Sequence, residues 1–188
     1  FALRIWRVSD PNKLTFDETY YAKDAWGLLQ WGYARDAIED ANDKIIAGNT
    51  DVFTTDPTWI VHPDGGKWLI ALGERGFGLT PLGWRFSAVV VGSLMVLVLS
   101  RLVLRLTGSL TLGALAGLLL TLDGLHFTMS RIALLDIFLA FWMLCAVACV
   151  AADRDWIETR LKLDGRFRVW RPWQLLAGLS FGMAIATK

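Results

Sequence analysis

The sequence predicts an all-α polytopic membrane protein, and three observations predict it. Hydrophobic residues fill 54% of the 188 positions and mean hydropathy is +0.42, above the range of a soluble domain. Two apolar runs, 84–104 and 132–151, reach the roughly 20 residues a helix needs to cross hydrocarbon. Charge is segregated: residues 10–81 hold twelve Asp or Glu against six Lys or Arg, whereas 153–171 hold four acids against six bases. By the positive-inside rule the basic segment faces the cytoplasm and the acidic one the extracytoplasmic side. The net charge of +1 says little once that asymmetry is known.

In chain order, 1–8 read as the end of a first transmembrane helix, with Arg4 and Arg7 at its boundary. Phe1 is no initiator Met and the apolar pattern runs into Lys188, so the chain is expected to be a piece of a longer protein, its first span mostly missing and its last one cut. Residues 9–83 read as an extracytoplasmic loop carrying interfacial helices. Asp10-Pro11-Asn12 marks a turn, and Thr15 with Glu18 three residues on matches a capping box. The aromatic-rich pattern after it predicts a surface helix over 16–42, followed by loop over 47–63 and a second surface helix over 67–76.

Residues 84–152 read as transmembrane helices. Arg101 and Arg105 place the far end of the first span in the cytoplasm; 110–122 is too short to cross alone unless it continues to Phe127. Gly113 and Gly117 form a small-xxx-small pair suited to close helix approach, and 132–151 returns the chain to the cytoplasm. Residues 153–172 follow as a basic cytoplasmic loop, and 173–188 start a further span. Nine of the ten tryptophans fall near span ends or in loops, as an aromatic belt requires; Trp142 is mid-span.

Several ionisable residues sit where lipid excludes charge unless it is paired or faces a cavity: Arg85, Arg131 and Asp136. Arg131 and Asp136 are five apart, so they point to different neighbours. The topology lets Asp17, Glu18, His62, Lys67, Arg85, Asp123 and Arg131 gather at the extracytoplasmic face. Carboxylates opposite cations suit transfer of a group from a phosphate ester. The cations hold the leaving phosphate while a carboxylate takes a proton from an incoming hydroxyl. The structural alternatives are helix capping by Asp17 and Glu18 and an Arg–Asp pair between helices. No metal site is evident, since His62 has no second His or Cys nearby and Cys145 and Cys149 lie one turn apart in an apolar run. Any cofactor requirement is unknown.

Taken in order, Arg4 thirteen positions before Phe16-Asp17-Glu18, His62-Pro63 with Gly66-Lys67, Arg85 opening a span, and Asp123 ahead of Ser130-Arg131 and Leu134-Leu135-Asp136 resemble the N-terminal part of a protein O-mannosyltransferase. That family belongs to the membrane GT-C glycosyltransferase class, and the short loops are similar to actinobacterial members. The resemblance implies a GT-C-type transmembrane helix bundle in the plasma membrane. It implies inverting transfer of mannose from a polyprenyl-phosphate mannose donor to Ser or Thr hydroxyls of a secreted protein acceptor. It also implies lipid bilayer and dimer contacts, and no nucleic acid. On this reading Asp17 is the catalytic base, Glu18 assists acceptor placement, and Arg4, Arg85 and Arg131 serve activity, the last two on the donor phosphate. His62, Lys67 and Asp136 complete the substrate-binding set. The family's His-Pro-Pro-Leu-Gly-Lys is replaced here by His62-Pro63-Asp64-Gly65-Gly66-Lys67, a departure in this loop. Two alternatives stay open: a GT-C transferase that moves aminoarabinose or another sugar to a lipid, and a transporter segment, which would place its charges nearer mid-span.

Overall fold

A computed structural model describes residues 1–165 and 170–188. Helices dominate, in the order α1 (Ala2–Ile5), α2 (Glu18–Trp31), α3 (Ala41–Ile46), α4 (Gly65–Phe77), α5 (Pro81–Thr107), α6 (Leu110–Leu122), α7 (Gly124–Met129), α8 (Leu135–Asp164) and α9 (Pro172–Thr187). Strands β1 (Arg35–Ala37) and β2 (Phe53–Pro57) form a small antiparallel pair on either side of α3, with Arg35 opposite Pro57 and Ala37 opposite Phe53. Two helices, Pro81–Thr107 and Leu135–Leu163, are long and apolar enough to cross a membrane.

The long helices start where their caps say they should. Thr80 Oγ1 accepts from the Gly83 N–H at 3.2 Å with Pro81 in the first turn of α5, and Ser109 Oγ accepts from Leu112 N–H at 3.3 Å to open α6. α6 is about 20 Å long. The chain then bends at Asp123, whose carboxylate accepts from the His126 N–H at 2.6 Å and so caps α7. The Gly113/Gly117 pair does bring α5 and α6 together: a Cβ at either would meet Ser100 of α5, at 2.8 and 2.0 Å. Leu97, Leu118, Leu119 and Ile185 stay exposed along α5, α6 and α9, a surface that suits hydrocarbon rather than water.

Three expectations are corrected. The helix expected over 16–42 ends at Trp31, because Gly32 takes a left-handed conformation (φ 80°) that closes it. Part of the expected loop at 47–63 is β2, whose Phe53 packs edge-on against Trp31 at 5.3 Å. The segment expected as a loop at 153–172 begins as helix, since α8 carries on through its charged end with a Lys162–Glu158 pair at 2.7 Å one turn apart. Residues 166–169 of that segment lie outside the described residues.

The core lies where α2, α4, α5 and α8 meet at one end of the bundle, around Ile70, Trp84, Leu135 and Phe138. Gly92 fixes the fit there: a Cβ on it would meet the Ser130 Cβ at 2.3 Å, so α5 touches the α7–α8 turn directly. Within this core Glu74 of α4 is buried with neither carboxylate oxygen hydrogen-bonded among the described residues, and burial holds its carboxyl well above the usual range. In the unfolded chain the group ionises at its ordinary value near 4.3. Stability is therefore full below that value and falls as pH rises toward the raised one, by up to about 1.4 kcal/mol per pH unit. We expect Glu74→Gln to remove that fall. Thermal unfolding of the full-length protein in detergent from about pH 4 to pH 8 then gives a flatter profile than wild type.

Candidate active site

Residues 1–18 wrap around the N-terminal end of α5, and one ion pair pins them there. Glu18, the first residue of α2, is fully buried, and its two oxygens receive Arg85 Nε and Nη2, both at 2.8 Å. The same carboxylate accepts from the backbone N–H groups of Thr15 and Ala133, each at 2.9 Å. The Thr15 N–H bond is the one a capping box would make, but Thr15 is not the N-cap that was expected: α2 opens at Glu18 with Asp17 before it, and the Thr15 hydroxyl is buried with no partner among the described residues. Arg85, 2% exposed, gives its remaining donors to the carbonyls of Val8 (2.8 Å), Pro11 (3.1 Å) and Lys13 (2.8 Å). All five guanidinium N–H groups therefore end on protein acceptors. This pair joins the first loop, α5 and the α7–α8 turn at a single point.

Just before it, Phe16 is held in the left-handed region (φ 55°), which costs a non-glycine residue about 1–2 kcal/mol. The turn buries Glu18 while leaving Asp17 half-exposed. Asp17 takes a hydrogen bond from the Tyr21 hydroxyl at 3.3 Å, and the Tyr21 ring lies 6.3 Å from the ring of His62. The Tyr21 hydroxyl is pushed up to about 12, by burial first and then by the charges of Asp17, Asp136 and Asp24. It therefore stays a donor to Asp17 throughout the physiological range.

Lys67 of α4, 1% exposed, sits between Asp24 of α2 at 3.0 Å and Asp64 at 3.2 Å. Burial raises the Asp24 carboxyl, and Lys67 pulls it back toward the charged form. The Gly65-Gly66 step, of which Gly65 departs from the family motif, has a packing reason. A Cβ at Gly65 would meet the Ala186 carbonyl oxygen at 2.5 Å, and one at Gly66 would meet Leu135 and Thr187, so α4 lies directly on α8 and the end of α9. Asp136 pairs with Lys188 at 2.7 Å and stays half-exposed.

A second group of cations lies beyond Glu18. Arg4 is 2% exposed and has no carboxylate partner among the described residues; its Nε donates to Ser130 Oγ and its Nη2 lies against His126 Nδ1, both at 3.0 Å. Arg131 donates to the carbonyls of Leu3 and Arg7, each at 3.2 Å, and does not contact Asp136, as their five-residue spacing predicts. Both guanidiniums lie over the Phe127 ring, Arg4 at 5.7 Å and Arg131 at 5.4 Å from its centre. A cavity of about 380 Å³ opens beside them, lined by Lys13, Thr15, Arg85, Phe127 and Arg131 among others.

The structure thus brings Glu18 onto Arg85 and Asp17 onto Tyr21 beside His62, and it sets Arg131 two residues from the Ala133 N–H that Glu18 holds. Lys67 and Asp136 belong to separate ion pairs on the Asp17 side. Sequence reasoning gave no role to Tyr21, Asp24 or His126. The Asp123-to-His126 cap spacing was the available signal for the last, and Tyr21, one helical turn from Asp17, was the signal for the first. Among the described residues no group of three or more His, Cys, Asp and Glu is placed to hold a metal ion.

A sequence profile described as dolichyl-phosphate-mannose-protein mannosyltransferase matches residues 1–188. The chain is 38% identical over 197 aligned residues to the polyprenol-phosphate-mannose–protein mannosyltransferase of Mycolicibacterium smegmatis strain MKD8, covering 99% of this chain and 35% of that protein. It is 31% identical to the Corynebacterium glutamicum protein of the same name, covering 92% of this chain and 33% of that one. It is 26% identical to protein O-mannosyltransferase 1 of Drosophila melanogaster, covering 80% and 16%. The chain spans about a third of the length of the bacterial relatives, and no solved structure matches it significantly. The match along its whole length shows that this chain belongs to the dolichyl-phosphate-mannose-protein mannosyltransferase family of membrane proteins.

Proposed function

We propose that the full-length protein transfers mannose from a polyprenyl-phosphate mannose to Ser or Thr hydroxyls of secreted proteins, with Asp17 as general base. The observation that carries this reading is a half-exposed carboxylate held by a permanent donor, Tyr21, one residue before the buried Glu18–Arg85 clamp, whose Arg85 lines a cavity together with Lys13 and Arg131. The acceptor O–H gives its proton to Asp17 as its oxygen bonds to the anomeric carbon. The bond from that carbon to the phosphate oxygen breaks on the opposite face, and its electron pair leaves with the polyprenyl phosphate, which inverts the anomeric centre. Arg131 is the cation best placed to meet that phosphate.

Arg85, whose donors are all engaged, is assigned to positioning: with Glu18 it holds Asp17 at the end of α5, and both act through the fold rather than on the sugar. Arg4 holds the α7–α8 turn through Ser130 and His126; His62 and Lys67 shape the acceptor side, with Asp136 at its rim. The names of the bacterial relatives support the donor and the protein acceptor. The acidic character of 10–81 supports an extracytoplasmic site on a multi-pass plasma-membrane protein, and dimeric assembly stays part of the proposal from family resemblance.

Mass spectrometry of secreted proteins from cells with and without the intact gene tests the reading. We expect hexose on Ser and Thr residues to disappear with the gene and return on complementation. Unchanged protein glycosylation together with loss of a sugar-modified lipid would assign the chain to lipid modification instead.

A further inference from the structure

We propose that the end of the bundle opposite Asp17 holds a binding site for an anionic glycerophospholipid. The proposal needs only that the chain lies in a membrane, not that Asp17 is a base. Between α5 and α8 runs a groove of about 260 Å³, walled by Leu97, Val98, Leu102, Ala148 and Cys149, with Trp173 of α9 at its edge. Arg101 and Arg105 stand one helical turn apart at its charged end. A neighbouring cavity of about 380 Å³ shares Arg105 and Trp173 and reaches Trp156 and Arg160.

Among the described residues the charges there do not balance. Asp155 is shared by Arg105 at 3.2 Å and Arg154 at 2.9 Å, Asp153 is bound by Arg171 with Nε at 3.0 Å, and Glu158 is held by Lys162 at 2.7 Å. Arg160 lies over the Trp156 ring at 5.5 Å. Arg101, exposed at the groove's mouth, has no carboxylate partner among the described residues. A free phosphate would meet the arginines and leave the apolar slot unused. A phospholipid uses both: its phosphate faces Arg101 and Arg105, and an acyl chain lies against Leu97, Val98 and Ala148. An anionic headgroup is favoured over a zwitterionic one because the latter brings its own cation to a site already in positive excess.

Photo-cross-linking of the full-length protein in nanodiscs tests this, with Ala148→p-benzoylphenylalanine and equal phosphatidylglycerol and phosphatidylcholine. We expect phosphatidylglycerol adducts to exceed phosphatidylcholine adducts by about fivefold or more, near-surface arginines each being worth roughly that factor. Arg101→Ala, at a side chain with no hydrogen bond or ion pair among the described residues, brings the ratio toward one while phosphatidylcholine adducts persist; Arg101→Lys restores it. Equal labelling of the two lipids in wild type overturns the proposal. So does cross-linking to a peptide of the protein itself, which would mean that another segment fills the groove. Loss of the lipid adduct on adding millimolar inorganic phosphate would reduce the site to a surface anion site and overturn the lipid assignment.

Discussion

Asp17→Asn in the full-length protein lowers the turnover of mannose transfer to a Ser/Thr peptide by about 10²- to 10⁴-fold, the usual contribution of a positioned general base. The geometry makes this loss specific. Asp17 is half-exposed and accepts one long bond, 3.3 Å, from Tyr21, and the amide oxygen of Asn can still accept that bond, more weakly. Thermal stability and the KM for the lipid donor therefore stay near wild type while kcat falls. Asp17→Glu recovers part of the activity by returning a carboxylate at a displaced position. Radiolabelled mannose transfer measured beside a melting curve checks both halves. Turnover near wild type in Asp17→Asn would assign the proton to another group.

The second large effect concerns Glu18 and Arg85, and it has the opposite signature. Removing one partner of a buried ion pair leaves the other charge uncompensated, at about 3–5 kcal/mol. Here more is lost, because Arg85 also ties down the carbonyls of Val8, Pro11 and Lys13, and Glu18 the N–H groups of Thr15 and Ala133. Arg85→Met and Glu18→Gln each lower the melting temperature of the full-length protein together with its activity. The double variant is less destabilised than the two losses added, since neither charge is then left alone. Were Arg85 a phosphate ligand, Arg85→Lys would instead raise the donor KM with stability unchanged. A retained melting temperature in Arg85→Lys would support that role and remove the clamp.

This difference between neighbouring carboxylates marks what the sequence could and could not say. The lengths and ends of the apolar runs placed α5 and α6 close to where they stand, and α4 begins two residues before its expected start, because those signals are local. The pairing of Glu18 with Arg85 was foreseen only as membership of one face. The filling of every Arg85 donor by three carbonyls of the first loop depends on a fold that no spacing encodes. The β1–β2 pair was missed for a related reason. The aromatic run continuing past Trp31 looked helical, and it is Arg35 stacked on Trp31 at 4.2 Å and Tyr33 at 5.0 Å, with Phe53 against Trp31, that turns it into a sheet edge. His126 carried a legible cap signal but no visible partner, since Arg4 is 122 positions away in the chain.

The structure of the full-length protein with an unreactive donor analogue and an acceptor peptide shows which carboxylate meets the acceptor. We expect the acceptor hydroxyl oxygen within about 3 Å of the Asp17 carboxylate and the donor phosphate against Arg131. An acceptor hydroxyl seated on Asp24 or Asp136, with Asp17 out of reach, would contradict it.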